Sequence, residues 1–138
     1  MNDSQMKIEV SIVLPCLNEE KTIVQCVQEA QAALAEAGVC GEVVIADNGS
    51  TDKSVELAKA EGGRIVHVKP RGYGNALYHG LQAAKGDFLV FLDADLTYEF
   101  SHIPRFVKEL QNGADLVMGS RLRGNIEAGA MPLLHRFL

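Results

Sequence analysis

Apolar residues rich in valine and isoleucine recur in short runs, Ile8 to Leu14, Val43 to Ala46, Ile65 to Val68, Phe88 to Leu92 and Leu116 to Met118, each of which predicts a buried β-strand. Between the runs the spacing changes to a helical period. Ile23, Val27, Ala30 and Leu34 share one face, Leu77, Leu81 and Ala84 another, and Ile103, Phe106, Val107 and Leu110 a third. Gly38, Gly62, Gly86 and Gly113 fall just past the helical segments, where a chain leaving a helix favours glycine. Strands alternating with helices predict an α/β fold around a mainly parallel sheet flanked by helices. No internal repeat, low-complexity tract or linker interrupts the pattern.

The polar and glycine-rich residues cluster directly after the strands, at Asn18, Asp47 to Asp52, Arg71 to Asn75 and Asp93 to Asp95. In an open α/β sheet that edge is where ligands bind. Composition is consistent with this picture: 138 residues at 47% hydrophobic and 22% charged suit one soluble globular domain with a substantial core. The start, MNDSQMKIEV, lacks the apolar stretch of a signal peptide, and Phe88 to Leu92 is too short to cross a bilayer, so a cytoplasmic location is expected. Cys16, Cys26 and Cys40 lack the close spacing of metal ligands and read as reduced, mostly structural thiols.

The net charge of −5 argues against binding to a long stretch of nucleic acid. Residues 121 to 138 hold Arg121, Arg123 and Arg136 against Glu127 alone, a local balance of +2 that leaves −7 on residues 1 to 120. A small positive tail on an acidic domain suits a discrete anionic group. The closing HRFL completes no obvious element, so the chain is expected to be the N-terminal part of a longer catalytic domain, truncated on its C-terminal side.

Asp93-Ala94-Asp95 follows the most apolar strand, and two carboxylates that close repel each other unless a divalent cation intervenes. Mg²⁺ takes one or two protein carboxylates and completes its shell with water and phosphates, so a bare D-x-D suits a metal–diphosphate complex. The competing reading is a solvated loop or a capping pair. In Asp47-Asn48-Gly49-Ser50-Thr51-Asp52, Gly49 permits a tight turn and Ser50 or Thr51 could cap the next helix, while Asp47 could accept a hydrogen bond from a nucleobase N–H. Asn18 reads as an N-cap, with Glu19 and Glu20 suited to the positive end of the same helix. Arg71-Gly72-Tyr73-Gly74-Asn75-Ala76 is a candidate anion-binding turn, but its G-x-G is incomplete and follows the third strand, which disfavours a Rossmann dehydrogenase. Arg121 and Arg136 could neutralise a diphosphate, whereas Arg123 reads as solvent-exposed.

Taken in order, V-x-P-x-x-N-E, D-N-G-S-T-D, R-G-Y-G-N-A, D-A-D and G-S-R resemble the inverting family 2 glycosyltransferases of GT-A fold, from about Val10 to Arg136. The stretch from Gly129 to Arg136 is similar to the polyprenyl-phosphate hexose synthases, which include dolichyl-phosphate mannose and glucose synthases. The resemblance implies nucleoside contacts by Pro15, Asn18 and Glu19, and a base contact by Asp47. It also implies Mg²⁺ or Mn²⁺ on Asp93 and Asp95, with Asp93 near the ribose, and phosphate contacts by Arg121 and Arg136. Asp93, Asp95 and Arg121 are thus the expected catalytic residues. Asn48 stands where many relatives have a second aspartate, which keeps hydrogen bonding but removes a charge.

The implied reaction moves a hexose from UDP-hexose or GDP-mannose to a polyprenyl phosphate, an acceptor already anionic at neutral pH and in no need of a base. Transfer to a saccharide or glycolipid hydroxyl is the nearest alternative, and a non-catalytic nucleotide-sugar-binding domain another. A nucleotidyltransferase would require a glycine- and basic-rich loop after the first strand, which PCLNEE is not. A lipid acceptor would place the protein at the cytoplasmic face of a membrane, with any membrane-binding segment beyond Leu138.

Overall fold

A computed structural model describes residues 6–97 and 99–117. Four strands form one parallel sheet in the order β3-β2-β1-β4: β1 Val10–Cys16, β2 Gly41–Asp47, β3 Arg64–His67 and β4 Phe88–Phe91. The α-helices are α1 Ile23–Ala37, α2 Ser54–Ala60, α3 Tyr73–Ala83 and α4 Ile103–Gln111, the last preceded by a 3₁₀ turn at Phe100–His102. All of β1 is buried, as a central strand covered on both faces requires.

Two cores flank the sheet. Ile12, Leu14, Val43, Ile45 and Val90 pack against Ile23, Val27, Ala30 and Leu34 of α1, Ala58 of α2, and Ile103 and Val107 of α4. On the other face Val13, Val44, Ala46 and Val68 meet Leu81 and Ala84 at the end of α3. The α/β sandwich expected from the strand–helix alternation is therefore present.

Four details differ from the expectations. Strand β1 runs on through Pro15 to Cys16. The Val13 carbonyl accepts Leu92 N–H on the β4 side at 3.2 Å and the Cys16 carbonyl accepts Asn48 N–H on the β2 side at 2.9 Å. Alternation therefore turns Pro15 towards β4, whose pairing has ended at Phe91, and its missing N–H deprives no ladder. Helix α3 buries Ala76 and Gly80 most deeply, while the expected Leu81 and Ala84 pack half-buried against the core and Leu77 is half-buried. A Cβ on Gly80 would stand 2.8 Å from both Ala46 Cβ and Val13 Cγ1, so the small residues let this helix lie close on the sheet. Gly86 does not close α3, whose C-cap is the extended Ala84; it instead abuts Ser11 at the start of β4. Finally, residues 116 and 117 form no strand, Leu116 being 76% exposed without a neighbour to pair with, and Met118 lies outside the described residues.

At the end of the sheet opposite the polar loops, Arg64 Nε and Nη2 donate to Glu42 at 2.9 and 3.0 Å, and Nη2 also reaches the Ala83 carbonyl at 2.7 Å. Glu42 further accepts the Ser11 hydroxyl and the Lys85 amide, both at 2.8 Å. Burial alone would raise the Glu42 carboxyl, but Arg64, the Lys85 amide and Ser11 outweigh it and hold it below the ordinary value. A carboxyl with a lowered folded pKa contributes stability that is present above its unfolded pKa and is lost as pH falls through the folded one. Glu42→Gln is therefore expected to lower unfolding free energy at pH 7 by about 1–3 kcal/mol. In urea titrations its gap from the unaltered protein should close progressively on acidification below the ordinary carboxyl range; a gap independent of pH would show that the charge is not the stabilising feature.

Candidate functional site at the strand carboxyl ends

Strand order reverses at β1, since the chain proceeds from β1 to β2 and β3 on one side and returns to β4 on the other. The loops leaving β1 and β4 thus diverge and open a crevice at the sheet's carboxyl edge. A cleft of about 350 Å³ occupies this position. Pro15, Cys16, Leu17 and Glu19 from the end of β1 line it, with Asn48 after β2, Arg71 to Tyr73 and Ala76 at the start of α3, and Asp93 to Asp95 after β4. A larger concavity beside β3, lined by His67, Lys69, His79 and Gln82 among others, holds none of the strand-end motif carboxylates.

Of the residues expected in a site, Pro15, Glu19, Asp93 and Asp95 are brought together on the cleft wall, whereas Asn18 and Asp47 are not part of its lining. Arg121 and Arg136, like Arg123, lie outside the described residues. Asn18 and its neighbours do not cap their own helix: α1 begins at Ile23, and its N-cap is Thr22. Instead Asn18, in a left-handed conformation at φ 53°, braces the loop after β2. Its N–H donates to Ser50 Oγ at 2.9 Å and its Oδ1 accepts Thr51 N–H at 2.8 Å. Glu19 N–H donates to Ser54 Oγ at 2.8 Å, and Glu20 exchanges bonds with Asp52 and Lys53 at 3.2 and 3.1 Å. Ser50 and Thr51 consequently face the first loop and do not cap α2, whose opening Ser54 N–H is taken by Asp52 Oδ1 at 2.9 Å. The amides of this loop are satisfied across to the neighbouring loop, because side chains there come within reach when β1 and β2 pair in register.

The carboxylates carry the electrostatics. Asp47 is buried; its Oδ2 accepts the Gly49 and Ser50 amides, each at 3.2 Å, while Oδ1 has no partner. Asp93 Oδ1 is likewise buried without a partner. Asp95 is held below the ordinary carboxylate range chiefly by Thr97, whose amide donates to Oδ1 at 2.9 Å. Glu19 is raised, first by burial and then by the negative charge of Asp95. Acceptors left bare and a carboxylate pushed up by its neighbour are what a bound cation relieves. Among the described residues no three His, Cys, Asp or Glu side chains form a metal cage, so the donor set on offer is carboxylates that need further oxygens from a ligand.

Two contributors escaped the sequence reading. The Thr22 hydroxyl donates to the Ala94 carbonyl at 2.6 Å and ties the loop after β4 to the head of α1. A threonine at a helix start gives no signal of a partner so distant in sequence. Tyr73 lines the same cleft as Asp93; burial first and then the nearby Asp93 carboxylate push its hydroxyl up to about 12. Its place between two glycines at a helix start was the available signal. Cys16 and Cys26 are buried and free, with burial pushing each thiol up to about 11.

Comparison with known proteins adds three findings. Residues 11–137 match the model of glycosyl transferase family 2. The low-salt glycan biosynthesis hexosyltransferase Agl6 of Haloferax volcanii is 41% identical over 134 residues, 96% of this chain and 32% of that protein. The undecaprenyl-phosphate 4-deoxy-4-formamido-L-arabinose transferase of Pseudomonas aeruginosa is 37% identical over 115 residues, 78% of this chain and 34% of that protein. Among solved structures, the glucosyl-3-phosphoglycerate synthase of Mycobacterium tuberculosis in complex with UDP superposes with a TM-score of 0.65 at 35% identity, covering 77% of this chain and 41% of that one. Its complex with Mn²⁺, UDP-glucose and phosphoglyceric acid gives a TM-score of 0.64 at 34% identity, covering 77% and 40%. The chain thus spans about a third of these two curated relatives, at 32% and 34%, and about two-fifths of the solved chains, at 41% and 40%.

Because Thr22 fastens the Asp93–Asp95 loop, Thr22→Val should lower stability by about 1 kcal/mol. In hydrogen-exchange experiments the Thr97 amide, bonded to Asp95 in that loop, should exchange faster in the variant while β1 and β2 amides keep their order of protection. Unchanged exchange at Thr97 would mean that the loop holds itself.

Proposed function

We propose that this chain, which belongs to glycosyl transferase family 2, forms the N-terminal, donor-binding part of a catalytic domain over residues 1–138. Its reaction moves a hexose, with inversion, from a nucleoside-diphosphate sugar to a polyprenyl phosphate. The observation that carries this reading is the convergence of Asp93, Asp95 and Glu19 with Arg71 and Tyr73 in one cleft at the reversal of strand order.

The residues fit a divalent cation, because the buried Asp93 Oδ1 lacks a partner and Glu19 is raised beside Asp95. Asp93 and Asp95 would hold Mg²⁺ or Mn²⁺ together with the donor diphosphate, and the ion would supply positive charge against the departing nucleoside diphosphate. The Mn²⁺-containing complexes of the mycobacterial synthase support this assignment. Pro15, Asn18 and Glu19 would contact the nucleoside, and Arg121 and Arg136, outside the described residues, would contact the phosphates.

For the base, we favour uracil. Asp47 Oδ2 is committed to the Gly49 and Ser50 amides and Oδ1 has no partner; once this buried carboxylate beside the cleft is uncovered, it would match the single ring N–H of uracil better than the adjacent pair of donors on guanine. The UDP complexes of the mycobacterial synthase point the same way. A polyprenyl-phosphate acceptor is supported by the undecaprenyl-phosphate transferase among the relatives. Such an acceptor is an anion at neutral pH and attacks without a base. It places the working enzyme at the cytoplasmic face of a membrane; among the described residues no helix is long and apolar enough to cross one.

Calorimetric titration with UDP, GDP and their hexose conjugates, with and without Mn²⁺, tests the donor site. UDP is expected to bind in a Mn²⁺-dependent manner, and Asp95→Ala to weaken that binding at least about tenfold. Tighter binding of GDP would overturn the base assignment, and a folded protein that binds neither would overturn the donor site. With the complete protein, transfer of labelled hexose to undecaprenyl phosphate is expected. Transfer to a saccharide hydroxyl instead would reassign the acceptor, and binding without turnover would leave a nucleotide-sugar-binding domain.

A further inference from the structure

Asn48 is buried beneath the cleft, and its side chain makes three hydrogen bonds across the sheet edge. The amide nitrogen donates to the carbonyls of Val68 at 3.0 Å and Pro70 at 2.8 Å, and Oδ1 accepts the Gly72 N–H at 2.8 Å. Its own N–H bonds to the Cys16 carbonyl at 2.9 Å, so the residue is fixed to β1 before it reaches the segment after β3.

That segment has little else to hold it. The ladder ends with Val68 N–H on the Asp47 carbonyl at 2.8 Å. Pro70 has no N–H, and Gly72 lies at φ 119°, a conformation open in practice to glycine alone. The bonds to the Arg71 and Gly72 carbonyls, from Asn75 and Ala76 at 3.0 Å each, belong to the first turn of α3 and move with it. Yet the segment delivers Arg71 and Tyr73 to the cleft wall facing Asp93 and Asp95.

We propose that Asn48 is a positioning residue for the donor site, holding Arg71 and Tyr73 against the bound nucleoside diphosphate through its amide. The proposal rests on the donor-site reading above. The chemistry requires an amide: the site asks for two donors and one acceptor on a short side chain, and a carboxylate of the same shape has no donor and would face two carbonyl oxygens. The amide of Asn48 thus matches the backbone that it ties down.

The test compares the unaltered chain with Asn48→Asp, which keeps the shape, and Asn48→Ser, which keeps one donor. Two readouts are taken: UDP affinity in Mn²⁺ by calorimetry, and the rate of tryptic cleavage after Arg71. Asn48→Asp is expected to weaken UDP binding about tenfold and to speed that cleavage about tenfold, with Asn48→Ser falling between. A role confined to stability would lower the melting temperature and leave the affinity of the folded protein unchanged, so unchanged affinity in folded Asn48→Asp overturns the proposal. If Asn48→Asp does not fold, Asn48→Ser decides by the same readouts. Failure of the unaltered chain to bind UDP would overturn the donor assignment, while cleavage after Arg71 would still decide whether Asn48 clamps the segment.

Discussion

The structure depends on β1 being hydrogen-bonded on both sides and covered on both faces. Its seven residues are all buried, and pairing with β2 on one flank and β4 on the other makes it the strand at which the sheet changes direction. Register then follows. With Cys16 opposite Asp47, the loops after β1 and β2 leave the sheet side by side. With Val13 opposite Phe91, β4 stops short of β1, and the gap above it becomes the cleft floor. Pro15 is tolerated in a central strand because it faces that gap, so the missing donor coincides with the cleft.

The cleft loops are held by polar side chains that reach between loops. Asn18 serves the amides after β2, Ser54 serves Glu19, Thr22 holds Ala94, and Asn48 secures the segment after β3. Each link spans at least twenty residues of sequence but little space, since register has already brought the strand ends together. Loops braced in this way need no apolar core of their own, and their outer surfaces stay free for ligand.

Periodicity made much of this legible. Strands β1 to β4 and the buried faces of α1 and α4 are set by runs and spacings of large apolar side chains, which solvent exclusion acts on directly. The contact face of α3 was legible only in Leu81 and Ala84, because Ala76 and Gly80 touch the sheet through their smallness and a reading weighted by hydrophobic bulk passes over them. Asp93, Asp95 and Glu19 could be placed at one edge of the sheet because they follow strands. Asn18 and Ser50 were assigned to caps of their own helices, a local bond that competes with the longer-range one they form. A single sequence shows the capacity to donate and accept, and only strand register shows to whom.

The same bonds explain why the site is poised for a ligand. Amides of the loops after β1 and β2 are bonded to side chains of the neighbouring loop, whereas two buried carboxylate oxygens, on Asp47 and Asp93, have no partner. Two non-glycine residues, Asn18 and Leu96, are held in left-handed conformations on loops bordering the site. An unpaired buried acceptor costs about 1–3 kcal/mol and a left-handed backbone of this kind about 1–3 kcal/mol, so these features weaken the ligand-free fold. They persist because the sheet beneath over-determines the loops. A cation arriving at Asp93 would cancel the electrostatic part of the cost there, and the gain would be expressed as binding energy and as stabilisation of the folded chain.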